Sequence, residues 1–129
     1  MNSIEQMLSL KTWAVIGANN NKEKFGCKIF RFLLEQGDYN VFPVNPGMTE
    51  VLGKKCYSTM SDLPEKPDVV NLVVPPRVGE QIIRECAELG IKNVWFQPGT
   101  DTEAVVSLAC ELGLNVVQAC VMVECRNRA

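Results

Sequence analysis

The sequence predicts an α/β fold: a doubly wound parallel sheet of about five strands with helices on both faces, formed by residues 1–129 as a single domain. Three observations carry that expectation. Short runs rich in β-branched and apolar residues alternate with segments of helical periodicity. The later runs are reached through a helical segment and not through a tight hairpin turn. Gly37, Gly90 and Gly113 each follow the last apolar turn of a helical segment and precede a strand, where a left-handed cap suits glycine.

Taken in order, Trp13 to Gly17 (WAVIG) reads as the first strand and Val41 to Val44 (VFPV) as the second, interrupted by Pro43. Asp68 to Val74 (DVVNLVV) is nearly continuous in apolar residues, as expected of a central strand covered on both faces. Asn93 to Phe96 and Asn115 to Gln118 complete the set. Between them Phe25, Ile29, Phe30, Leu33 and Leu34 recur at helical spacing, as do Val78, Ile82, Ile83, Cys86 and Ala87, and then Val105, Leu108, Ala109 and Leu112. Thr100-x-x-Glu103 has capping-box spacing before the last of these, and Ser3-x-x-Gln6 offers a weaker box for a short N-terminal helix. Right-handed crossovers then give a Rossmann-like sheet, with 3-2-1-4-5 the expected strand order and a ligand site at the strand C-termini.

Composition narrows the function classes. Apolar residues make up 47% of the chain and charged residues 22%, values of an ordinary globular protein. Thirteen basic and fifteen acidic side chains leave a net charge of -2, without the positive field that nucleic-acid binding draws on. The first residues lack the basic start and apolar run of a signal peptide, and no stretch is long enough to span a bilayer. A cytoplasmic protein with neither nucleic acid nor membrane as partner is expected. Six cysteines without a C-x-x-C pair, and no histidine, argue against zinc or disulfide frameworks, so no metal is expected. Cys120 and Cys125 invite a redox or metal reading, but buried thiols acting as small apolar side chains account for them better. Without histidine the commonest general base is missing.

Four loops follow the strands that meet at the expected site. The first, Gly17-Ala18-Asn19-Asn20-Asn21-Lys22-Glu23-Lys24-Phe25-Gly26, opens a helix whose N-terminal amides can hold a phosphate, with Lys22 or Lys24 adding charge. It departs from G-x-G-x-x-G, because Asn19 stands in the place of the second glycine. The same glycine and lysines also suit a plain solvated turn. After the second strand, Asn45-Pro46-Gly47 replaces the acidic residue that an NAD site uses to hold ribose hydroxyls, although a tight turn alone explains the triplet. Val74-Pro75-Pro76-Arg77 stiffens a helix start and brings a guanidinium to phosphate or to solvent. Gln97-Pro98-Gly99 sets an amide beside the place where a ligand would lie.

Together the Gly17 loop, Pro43-Val44-Asn45-Pro46, Val74-Pro75 and Val94-Trp95-Phe96-Gln97-Pro98-Gly99 resemble the CoA-binding protein family, small proteins similar to the N-terminal domain of succinyl-CoA synthetase alpha subunits. The resemblance covers nearly the whole chain. It implies coenzyme A as the ligand, its phosphates near Gly17, Ala18, Asn19 and Asn20. Asn45, Pro46, Val74, Pro75, Pro76, Gln97 and Pro98 would line the adenosine and pantetheine path. Met48 stands where the synthetase domain has a lysine, leaving Lys24, Lys54 or Lys55 to substitute, and Cys125 stands where many members have histidine. The synthetase's phosphate-carrying histidine belongs to a further domain and has no counterpart here.

The leading expectation is a non-catalytic module that binds or senses coenzyme A or acyl-CoA, with no catalytic residue assigned. Two alternatives stand beside it: an NAD-type sensor on the same fold, and an acyl-CoA-handling enzyme with Cys27 or Cys120 as nucleophile. A homodimer or another protein partner is compatible with the sequence, which identifies neither.

Overall fold

A computed structural model describes residues 3–127. The chain begins with helix α1 (Ser3–Leu8) and strand β1 (Thr12–Ile16), followed by α2 (Phe25–Glu35) and β2 (Asn40–Val44). Two short strands, β3 (Glu50–Val51) and β4 (Lys54–Lys55), form a small hairpin, and a 3-10 turn spans Met60–Asp62. Then come β5 (Val69–Leu72), α3 (Pro76–Leu89), β6 (Asn93–Phe96), α4 (Glu103–Glu111), β7 (Asn115–Gln118) and α5 (Val121–Arg126). All five expected strands and the three long helices are present.

The main sheet is parallel throughout, in the order β2-β1-β5-β6-β7. Counting only its five strands, that is 2-1-3-4-5, which corrects the expected 3-2-1-4-5. The reason lies in Pro43. Its carbonyl accepts from the Tyr57 N–H at 3.0 Å on the outer side of β2, while the Val44 carbonyl accepts from Gly17 at 2.9 Å on the inner side. A proline contributes no N–H to a ladder and is therefore accommodated on an edge strand. An interior second strand would have lost a ladder bond at that residue.

Each face of the sheet carries its own core. Trp13, Val15, Val69 and Trp95 pack with Ile29, Phe30 and Leu33 of α2, with Met7 of α1 and with Val121 of α5. The two indoles lie 5.7 Å apart at a tilted angle, and their N–H groups are satisfied by the carbonyls of Leu10 and Ala119. On the other face Ala14, Ile16, Val70, Leu72, Val94 and Phe96 meet Ile83 and Cys86 of α3 and Val105 and Ala109 of α4. Alternate residues of each strand thus feed opposite cores.

Three local expectations are corrected. Phe25, Val78 and Leu112, read as parts of apolar stripes, are exposed, Phe25 to 59%. The last long helix is capped by Thr102, whose hydroxyl accepts from the Val105 N–H, and not by Thr100. Thr100 instead donates to the Gln97 carbonyl at 2.7 Å and is buried in the loop after β6. The β3–β4 hairpin was not anticipated; its two-residue turn places Leu52 at φ +49° and Gly53 at φ +80°, a mirror-image turn suited to strand twist.

Candidate functional site

The strand order places a switch point between β1 and β5. The chain leaves β1 toward α2 on one face, and it leaves β5 toward α3 on the other, so the two loops diverge and open a crevice at the C-terminal edge. Gly17 stands at that divergence with φ +97°. A Cβ there would lie 2.5 Å from the Val73 carbonyl oxygen and 2.8 Å from Val74 Cγ1. A Cβ on Gly26 would overlap the Gly17 carbonyl oxygen, so the first turn of α2 can rest on the end of β1 only because both residues lack side chains. Gly17 supplies the tight turn and Gly26 the close helix–strand approach, two of the three tasks of a glycine-rich nucleotide loop. Sequence reading included Gly26 in the loop but gave it no role; its place in the first turn of an apolar helix was the available signal.

The asparagines are builders of this rim. Asn19 accepts from the Asn21 N–H at 2.8 Å, shaping the loop. Asn20 donates to the Glu50 carbonyl at 2.9 Å and accepts from the Leu52 N–H at 2.9 Å, which pins the β3–β4 hairpin to the β1 loop. Asn45 donates to the Ala18 carbonyl and accepts from the Gly47 N–H, both at 2.9 Å, joining the loops after β1 and β2. Ala18 is wholly buried beneath them. The side chains of Asn19, Asn20 and Asn45 are thus engaged in setting the backbone, while Lys22, Glu23 and Lys24 of the same loop are exposed.

Two clefts open on either side of the Gly17–Val74 junction. The first, of about 420 Å³, lies on the α3 side, with Asn45, Pro46, Ser58, Thr59, Gln81 and Glu85 among its walls. The second, of about 440 Å³, is lined by Phe25, Val73, Pro75, Gln97, Pro98 and Cys120. Val74 lines both. The structure therefore gathers Gly17, Asn45, Pro46 and Val74 in one cleft, and Val74, Pro75, Gln97 and Pro98 in the other. Ala18, Asn19, Asn20, Lys24 and Pro76 line neither. Phe25, Val78 and Ile82 are cleft-lining residues that sequence reading assigned to cores, because periodicity reports the face of a helix and not where that face runs past the sheet edge.

Gln97 is 3% exposed, and its side-chain carbonyl accepts from the Val121 N–H at 2.9 Å, capping α5. That bond fixes which end of the amide is oxygen and turns the NH₂ group elsewhere. Helices α2 and α3 begin at the same edge with Lys24 and Pro75 in the cap position, and neither cap side chain makes a capping bond. The positive dipole ends of both helices lie at this edge, where an anion would be favoured, although the cap and first residue of α3, Pro75 and Pro76, carry no N–H. Lys22, Lys24 and Arg77 are exposed nearby in sequence, whereas Lys54 and Lys55 border a separate groove beside β2 with Tyr57. Met48 is half-buried against the α2-side core and adds no charge.

No disulfide joins the six cysteines. Cys27, Cys56 and Cys86 are buried and Cys110 is exposed, while Cys120 and Cys125, read as buried thiols, are only half-buried. Burial pushes the Cys86 thiol up to about 12, with Glu85 adding to the rise, and burial also raises Cys56 against the lowering effect of its backbone hydrogen bonds. Neither is a ready nucleophile. Cys27, one of the two nucleophile candidates, has no exposed surface; Cys120 reaches the second cleft. Among the described residues no group of three or more His, Cys, Asp or Glu side chains could hold a metal ion, and no helix is long and apolar enough to cross a membrane.

Comparison with known proteins agrees with this geometry. Residues 11–126 match the model of the CoA binding domain. The alpha subunit of ADP-forming acetate–CoA ligase II from Pyrococcus furiosus is 40% identical over 81 residues, which are 63% of this chain and 18% of that subunit. This chain therefore corresponds to a small part of the ligase subunit. A hypothetical protein from Pyrococcus horikoshii superimposes with a TM-score of 0.89 at 37% identity, covering 96% of this chain and 88% of that one. A Thermus thermophilus structure described as cell-free ID.343 gives 0.86 at 31% identity, covering 98% of each chain. With its sheet order, its glycine-built crevice and a match spanning nearly every residue, this chain belongs to the CoA binding domain family.

Proposed function

We propose that this chain binds coenzyme A or an acyl-CoA as a non-catalytic module, with the ligand lying across the strand C-termini and bridging the two clefts. The observation that carries the reading is that the two clefts adjoin at Val74, which lines both. Each is too small for the whole molecule, and Val74, packed close against Gly17, is the wall they share, so a long ligand would pass over Val74 from one cleft to the other. Ser58, Gln81 and Glu85 offer hydrogen-bonding partners for an adenine and its ribose in the first cleft. The apolar walls of the second suit a slender pantetheine arm. The diphosphate would then fall near the starts of α2 and α3.

The Thermus structure, matched over 98% of both chains, supports a stand-alone module of this size. The ligase likeness supports a second possibility for the same site, presentation of the bound thioester to a protein partner. Isothermal titration with CoA, NAD and ATP tests the reading, beside mass spectrometry of any ligand retained through purification. One-to-one CoA binding supports it; binding of NAD or ATP without CoA overturns it. The position of Cys120 on the second cleft favours one rival, acyl transfer to a thiol. That rival requires an acylated Cys120 after incubation with acetyl-CoA, and an unmodified intact mass would remove it.

A further inference from the structure

The central strand β5 contains a polar residue that the fold itself does not use. Asn71 has no exposed surface, and neither its side-chain nitrogen nor its side-chain oxygen has a hydrogen-bond partner. Its register neighbours are Val15 on β1 and Trp95 on β6, both members of the α2-side core. An apolar residue would satisfy that position, as Val69 does two residues earlier. A buried carboxamide without partners is costly and rare, and such groups mark ligand, water or functional sites.

Its place gives the orphan a use. Side chains alternate along a strand, so Asn71 shares its face with Val73, and Trp95 shares its face with Gln97. Val73 and Gln97 are floor residues of the second cleft, and Phe25 and Cys120, at the starts of α2 and α5, form its mouth. Asn71 is thus the next residue inward along the same face, beneath the floor of a cleft whose other lining is mostly apolar. Gln97 cannot serve it fully, because the Gln97 carbonyl is committed to Val121.

We propose that Asn71 is the inner recognition residue of the second cleft. Its carboxamide meets the polar tip of the ligand's arm, a thiol or thioester carbonyl, once that arm displaces the thin floor formed by Val73 and Gln97. The inference rests on the CoA reading above and adds to it a residue that selects for the arm over the nucleotide. Asn71 binds and positions; it moves no proton and breaks no bond.

The test begins with the wild-type chain. Asn71 side-chain NH₂ resonances are followed in ¹⁵N-labelled protein during titration with CoA, acetyl-CoA and adenosine 3′,5′-bisphosphate, a fragment lacking the arm. They are expected to shift with CoA or acetyl-CoA and to stay in place with the fragment. Asn71→Leu, of the same branched shape, should keep the melting temperature near the wild-type value while weakening binding of CoA or acetyl-CoA about tenfold, on the order of one lost hydrogen bond, with fragment affinity unchanged. Asn71→Ser serves as the second variant if the leucine form does not fold. Unmoved resonances in a protein that binds CoA, or a folded variant with wild-type affinity for both thiol and thioester, would overturn the inference. A wild-type chain that binds no CoA would instead overturn the reading on which it rests.

Discussion

The two clefts adjoin at Val74 and are nearly equal in size, about 420 and 440 Å³, but different side chains line them. The α3-side cleft has Ser58, Thr59, Gln81 and Glu85 in its walls, whereas the cleft between the starts of α2 and α5 presents Phe25, Pro75, Pro98 and Cys120. One surface is suited to hydrogen-bonding a nucleoside and the other to holding a narrow apolar chain. What they have in common is Val74, beside the close approach of β1, β5 and α2 that Gly17 and Gly26 permit. Topology supplies the crevice, and local residue choice divides it into two chemistries.

The largest expected effect comes from breaking that close approach. Gly26→Ala places a methyl group against the Gly17 carbonyl and forces α2 off β1. A loss of about 4 kcal/mol is expected, at the upper end for single substitutions, together with loss of ligand binding at both clefts. Denaturant unfolding beside calorimetry checks it; a stable, binding-competent variant would show that the close approach is dispensable.

Next in size is a pH effect behind the α3-side cleft. The raised Cys86 pKa means that the folded state favours the neutral thiol, so this stabilisation is complete below the ordinary thiol pKa of 9.0 and is lost as pH rises toward about 12. The change amounts to at most about 4 kcal/mol over that window. The alkaline decline in urea midpoint should be shallower in Cys86→Ala than in the wild type. Equal slopes would place the alkaline transition elsewhere.

In the second cleft, Gln97→Leu removes the acceptor for the Val121 N–H and leaves a buried donor unpaired. A destabilisation of about 2 kcal/mol is expected, with CoA affinity reduced and exchange protection lost first in α5. Hydrogen exchange read residue by residue distinguishes that local opening from global unfolding. The smallest effect belongs to Phe25→Ala. Because Phe25 is 59% exposed, the melting temperature should hardly move, while CoA affinity falls about threefold through lost contact with the arm. A change in stability without one in affinity would make Phe25 a packing residue and not a ligand contact.

The outcome for these residues shows what a sequence makes legible. The strands were readable because β-branched runs such as Val69–Leu72 have few alternatives, and the helix ends because Gly37, Gly90 and Gly113 take positive φ in the structure. Strand order was not readable from periodicity, which carries no partner information, yet Pro43 held the clue that β2 is an edge. The four loops lie together at the C-terminal edge of the sheet. The bonds of their asparagines to neighbouring backbone were not readable, since Asn20 to Glu50 and Asn45 to Ala18 are contacts between segments that no local pattern specifies. Thr100 and Thr102 illustrate the same limit at short range: both can cap, and the buried bond to the Gln97 carbonyl decides between them.

The central claim, that one ligand spans both clefts, is tested most directly by titrating the wild-type chain with CoA's two halves, adenosine 3′,5′-bisphosphate and 4′-phosphopantetheine, singly and together. The account predicts that each half saturates its own site, that both are held at once, and that CoA displaces both. Mutual exclusion of the halves, or CoA displacing only one of them, would contradict it.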